Sequence, residues 1–183
     1  MDWKIDCVVG IDPGASGGIA VYKKNELEGR QVQALKMPKD MGALASFLTY
    51  LKQNYTPIVF LEKVSTRKDD LLSGGAMGKI YRIEKMMENY GALKGVIEGA
   101  GIPYVMVHPA TWQAGLEIRV KGEEKPERKR RYREIAQKTY PSVKVTLWNA
   151  DALLIMHYGR WALANRESWV KANLPEREFE KLF

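Results

Sequence analysis

The chain has 183 residues, 45% of them apolar, with a formal net charge of +7 and a pI near 9.4. That length and composition fit one domain that buries its own core and exclude wholesale disorder. Cys7 is the single cysteine, so no internal disulfide can form, and a reducing, cytoplasmic setting is expected. No apolar run approaches the ~18 residues of a membrane span, and the opening "MDWKIDC" lacks a basic stretch followed by an apolar one. Neither export nor a membrane partner is expected. The basic excess favours a polyanionic partner, nucleic acid ahead of an acidic membrane.

In chain order, "IDCVVGID" (5–12) reads as a buried strand, and "GGIAVYKK" (17–24) as its antiparallel partner across a short Gly/Pro turn. "GRQVQALKM" (29–37) alternates like a third, half-exposed strand. "MGALASFLTYLKQN" (41–54) sets Leu44, Phe47, Leu48 and Leu51 at helical spacing. "TPIVFLEKV" (56–64) is a short buried strand ending in charge. Charges and glycines from 65 to 78 break the pattern into a loop. A long helix is expected from about Lys79 to Ala100, with Ile80, Ile83, Met87, Leu93 and Ile97 as its inner stripe. "IPYVMVHP" (102–109) is a fifth strand, and "PATWQAGL" a helical turn opened by proline. The second half of the highly charged stretch 119–134 begins a helix running to about Thr139. The last helix is 149–167, with Asn149 as its N-cap.

Three strands followed by alternating helices and strands predict a layered α/β domain. An antiparallel meander leads by right-handed crossovers into parallel strands. We expect residues 1–167 to form this domain and residues 168–183, with Trp169, Leu174 and Phe183, to dock as a tail on the body or on a second subunit.

Two apolar strands close on an acid: Asp12 ends the first and Glu62 the fourth. If those strands are parallel neighbours, both carboxylates leave the same sheet edge, where α/β folds build their sites. Asp151, in the first turn of the last helix, can be oriented toward that edge. Each acid also has an ordinary use: Asp12 as a turn starter, Glu62 as a solvated charge, Asp151 as a partner of the helix dipole. Crowded carboxylates repel, and a hard divalent cation relieves them. Mg²⁺ at such a site suits phosphate-ester hydrolysis by two ions.

The segments "VGIDPGASGGIAV", "IVFLEKV", "VHPATWQ" and "NADALLIMHYGR" together resemble the RuvC-type Holliday-junction resolvases of the ribonuclease H-like superfamily, especially their phage and mobile-element branch. The resemblance spans about residues 5–165, and "GIDPG" and "ADALLI" are its most specific blocks. It implies a five-stranded mixed sheet in the order 3-2-1-4-5 with helices on both faces. It also implies a homodimer, in a bacterium or a phage-infected cell, that makes paired nicks in four-way or branched DNA using Mg²⁺, with Mn²⁺ as a substitute and no organic cofactor. Asp12, Glu62 and Asp151 match three of the family's four metal-binding acids. The usual fourth, an Asp or His three or four residues before the helix acid, is replaced by Trp148 and Leu147. Asn149 is the weak substitute ligand, since His157 lies about 120° away from Asp151 around the helix. With the fourth acid missing, the alternative is a junction-binding protein whose cleavage is weak or lost. "GIDPGASGG" also resembles the first phosphate loop of sugar-kinase and actin-like ATPases, but the length leaves no room for their two domains.

The cations divide into two groups. Arg67, Lys68 and Lys79, in and after the 65–78 loop, are expected to meet the junction backbone. Arg119, Lys121, Arg128, Lys129, Arg130, Arg131 and Arg133 are expected to form a phosphate track. His108 and Trp112 follow the fifth strand near the same edge, with Trp112 read as core packing ahead of base stacking.

Overall fold

The structure, a computed structural model, describes residues 5–14, 16–64 and 77–165, with the side chains of 77–79 outside that description. Arg67, Lys68, the side chain of Lys79 and the expected tail 168–183 therefore lie outside the described residues. Five strands, β1 (Cys7–Asp12), β2 (Gly18–Lys23), β3 (Val32–Lys36), β4 (Pro57–Glu62) and β5 (Tyr104–Val107), form one sheet in the order β3-β2-β1-β4-β5. The pairs β1–β2 and β2–β3 are antiparallel; β1–β4 and β4–β5 are parallel. Among the described residues, five helices flank the sheet: α1 (Met41–Asn54), α2 (Met77–Gly99), α3 (Pro109–Gly115), α4 (Lys125–Thr139) and α5 (Ala150–Ala164). The expected mixed sheet and its strand order are what the chain forms.

Strand residues alternate between two cores. Val8, Ala20, Ile58 and Phe60 face one side, against Trp112, Tyr132, Ala136 and most of α5. Cys7, Val9, Ile11, Ile19, Val21, Val59 and Leu61 face the other, against Leu44, Leu48 and Leu51 of α1 and Tyr90, Leu93 and Ile97 of α2. Strands covered on both faces read as continuous apolar runs, which is why β1 and β4 stand out in the sequence. No described helix is long and apolar enough to cross a membrane.

Two glycines set how closely α5 lies on the sheet. A Cβ at Gly10 would collide with the backbone of Ala152 and Met156, so the helix backbone rests directly on β1. At Gly18 a Cβ would lie 2.7 Å from the Leu35 carbonyl oxygen and 2.9 Å from that of Trp148, the residue leading into α5. Gly18 is the strand partner of Asp12. The close crossing therefore brings the first turn of α5 to the strand end that carries Asp12.

The stripe expected on α2 needs correction. Leu93 and Ile97 are buried with Tyr90, but Ile80 (64% exposed), Tyr81 and Met87 face solvent. Helical phase is visible in a sequence; the length of helix that the sheet can cover is not. The 23 residues of α2 span about 34 Å, whereas a six-residue strand spans about 20 Å.

Candidate active site

The parallel register pairs Ile11 with Leu61, so the next residues, Asp12 and Glu62, leave the same edge side by side. Asp12 serves two ends at once. Its Oδ1 accepts from the Gly14 amide at 3.2 Å, starting the turn, while its Oδ2 lies 3.9 Å from the ammonium of Lys129. The turn-starting use thus occupies one oxygen and leaves the other free to face the site.

Asp151 sits in the first turn of α5, 8% exposed. Its Oδ2 accepts from Lys129 Nζ at 2.6 Å, and its Oδ1 is buried without a hydrogen-bond partner. Burial pushes the Asp151 carboxyl up and the charge on Asp12 adds to this, while Lys129 opposes both. For Lys129, burial favours loss of the proton, but Asp151, Asp12 and Glu62 outweigh it and hold the ammonium above its ordinary range. Lys129 is therefore a fixed positive charge among three acids.

Glu62 is held from the opposite side. The indole Nε1–H of Trp112 donates to Glu62 Oε2 at 2.8 Å. Burial pushes the Glu62 carboxyl up to about 7, helped by the negative charge of Asp12, while the Trp112 hydrogen bond pulls the other way. Trp112 is fully buried and meets the Tyr132 ring edge-on, centroids 5.5 Å apart. His108 is spent locally: its Nδ1 accepts from the Ala110 amide at the start of α3. Cys7 is buried, its thiol pushed up to about 12 by burial, and so is no nucleophile.

Asn149 does not join the acids. Its Oδ1 accepts from the Thr146 amide at 2.7 Å and the Thr146 hydroxyl at 3.1 Å, and its Nδ2 donates to the Lys144 carbonyl. It occupies the N-cap position of α5 without a side-chain capping bond, because those contacts spend the amide on the preceding turn. Asn149 is thus the expected N-cap by position, and its side-chain oxygen, the one expected as a substitute ligand, is engaged by Thr146. Among the described residues, no three His, Cys, Asp or Glu side chains converge as a ready metal cluster. The donor chemistry still suits a hard divalent cation: two carboxylates, one with an unpartnered buried oxygen, already share one positive charge, and a third leaves the same sheet edge.

The basic stretch divides. Arg119, Lys121, Arg130 and Arg133 are exposed and Arg128 is half-buried. Arg131 is engaged within the chain, donating through Nε and Nη2 to Glu123 at 2.7 and 2.6 Å and lying over the Tyr132 ring. Lys129 turns inward to the carboxylates. The phosphate track therefore loses Arg131 and Lys129 as outward cations. A signal for Lys129 was available: Lys129, Tyr132 and Ala136 fall on one face of α4, the face carrying its buried Tyr132 and Ala136. A buried Trp also asks where its N–H goes, and Glu62 is the answer.

No protein-family model matches the sequence, and no curated protein matches it. Solved structures do. RuvC of Thermus thermophilus matches with a TM-score of 0.53 and 17% identity, over 87% of this chain and 96% of that one. The same protein in complex with its Holliday junction substrate matches with a TM-score of 0.52 and 17% identity, over 87% and 95%. With its five-stranded sheet in the order β3-β2-β1-β4-β5, this chain thus has the RuvC-like, ribonuclease H-like fold.

Proposed function

We propose that this chain is a structure-selective endonuclease that hydrolyses phosphodiesters in four-way or otherwise branched DNA. The observation that carries the reading is the pairing of Asp12 and Asp151 with the Lys129 ammonium, with Glu62 leaving the same sheet edge of a RuvC-like fold. Asp12 Oδ2, Glu62 Oε1 and Asp151 Oδ1 are the oxygens that would hold Mg²⁺, or Mn²⁺ in its place. When bound, such an ion supplies an activated water and charge stabilisation for the phosphoryl oxygens. Two ions at this site would complete their shells with water and phosphate oxygens, since Asn149 is spent elsewhere. Glu62 and Asp151 orient from opposite elements, and Lys129 neutralises the acids so that a DNA phosphate can approach them. Arg119, Lys121, Arg130 and Arg133 are exposed to engage the sugar-phosphate backbone. Paired nicks need two such sites. The exposed Ile80, Tyr81, Met86 and Met87 of α2 are the apolar surface that a second copy would cover.

A second reading, a branched-DNA-binding protein without cleavage, draws on one observation: Lys129 already bridges Asp151 and Asp12, as an ion would. Incubating labelled four-way junction and linear duplex with the protein, with and without Mg²⁺ and Mn²⁺, separates the two. Nuclease action predicts metal-dependent junction nicks that Asp12→Asn removes while junction binding persists. Tight, salt-sensitive junction binding with no product under either metal favours the second reading. Full nicking by Asp12→Asn sinks the site assignment.

A further inference from the structure

We propose that Trp112 is a positioning residue: its indole N–H fixes the Glu62 carboxylate so that Oε1 is presented to the metal. The inference rests on the nuclease reading for its purpose, and on geometry for its substance. Glu62 lies at the end of a strand, on the rim of the sheet, where a flexible side chain has many rotamers. Trp112 removes that freedom. It lies one turn into α3, which begins directly after β5 with His108 as its capping residue. β5 pairs in parallel with β4, and Val107 is opposite Glu62. The strand pairing that places Glu62 therefore also places the helix carrying its partner.

The indole has little room to be elsewhere. It is fully buried, packed in the core with Phe60, Tyr132 and Tyr158, and it meets Tyr132 edge-on. A side chain held only for packing at this place needs no N–H. Phenylalanine or leucine would fill apolar volume without the cost of a buried donor. The chain instead spends a tryptophan whose N–H ends on a single oxygen of one acid, 2.8 Å away. That bond takes Oε2 and leaves Oε1 outside it. Outer-shell partners of this kind set ligand orientation, and their loss typically costs about 10- to 100-fold in metal affinity.

The test replaces Trp112 by 3-benzothienylalanine, which keeps the ring shape and lacks the N–H, with Trp112→Phe as a second variant. Mn²⁺ affinity of the full chain is read from the electron paramagnetic resonance of free Mn²⁺, alongside the melting temperature and four-way-junction binding. The benzothienyl variant is expected to bind Mn²⁺ about tenfold more weakly, with junction binding and folding retained. In a Glu62→Gln background, the same replacement should change Mn²⁺ affinity no further. Unchanged affinity in the benzothienyl variant overturns the positioning role, as does a loss equally large with and without Glu62. Junction nicking is scored separately. Mn²⁺ binding that depends on Trp112 in a protein that never nicks keeps the positioning role and removes the nuclease reading. Absence of Mn²⁺ binding by the unaltered protein overturns both.

Discussion

Helix α5 carries the buried Asp151 in its first turn and the half-buried His157 at its middle, and the two are built in opposite ways. At its start, Asp151 has one oxygen on Lys129 and the other on nothing, with Asp12 near enough to raise its cost of ionisation. At its middle, His157 Nδ1 meets the Tyr140 hydroxyl at 2.8 Å, Arg160 donates to the same hydroxyl, and the Arg160 guanidinium lies 3.7 Å from the centroid of the Tyr22 ring. The second cluster is satisfied by the chain itself; the first is left short of partners. A fold that satisfies one polar cluster and leaves a buried oxygen of the other without a partner supports the proposal that the second is the site.

The strongest way to break this comparison is to lift the helix off the strand between the two clusters. Gly10→Ala puts a methyl group into the backbone of Ala152 and Met156, where no flexible side chain can yield. Destabilisation of about 3 kcal/mol is expected, the upper part of the range for overpacking, read by urea unfolding. Metal binding should weaken more than the Tyr140–His157 contact, because Asp151 must keep its place relative to two strand ends. A variant as stable as the parent would mean that α5 does not rest on β1 as described.

Removing charge at the site sharpens the contrast at smaller scale. Glu62 in the folded chain titrates at about 7 against an ordinary 4.5, so the folded state holds a proton that the unfolded chain has released. Its contribution to stability is fully present below about pH 4.5 and is lost as the pH rises through 7. Glu62→Gln keeps an oxygen for the Trp112 N–H and removes the charge. In metal-free protein it should gain on the order of 1–2 kcal/mol at about pH 8 and little at about pH 4. Paired urea titrations read this directly. Equal gains at both pH values would show that ionising Glu62 is not what costs the fold its stability. The same variant should bind Mn²⁺ poorly, the usual opposition between a stable site and a working one.

Much of the fold and part of the site could be read from the sequence, for one physical reason. Buried parallel strands write themselves as unbroken apolar runs, so β1, β4 and the acids that close them, Asp12 and Glu62, were visible at once. Asp151 was visible because a helix start is marked locally. What stayed hidden depends on tertiary approach. Lys129 was one cation among many until the packing of α4 on α5 turned it inward. Arg131 looked outward-facing until Glu123 was beside it. The missing fourth acid could be read from Trp148 and Leu147, but that the Asn149 oxygen is engaged by Thr146 depends on how the preceding turn folds. The overhang of α2 has the same origin, since burial of Ile80 and Met87 depends on how far the sheet extends.

The satisfied cluster on α5 should respond to pH with the opposite sign to Glu62. Burial, and then the positive charge of Arg160, hold His157 below its ordinary 6.5, so the folded chain resists a proton that the unfolded chain accepts. Its contribution is fully present above about pH 6.5 and is lost as the pH falls below that value toward the folded pKa. A neutral His157 accepts from the Tyr140 hydroxyl, which in turn accepts from Arg160, so the chain of donors runs one way. Protonating Nδ1 would oppose it with a second donor. His157→Gln should cost about 1 kcal/mol at about pH 8, the worth of one hydrogen bond. That gap should narrow as the pH drops below 6.5, because only the parent chain then carries the penalty. Thermal unfolding of both proteins across this range reads the gap, and the narrowing is the smallest of the effects expected here. A gap that widens in acid would mean that His157 is charged in the folded chain, and the two clusters on α5 would no longer differ in kind.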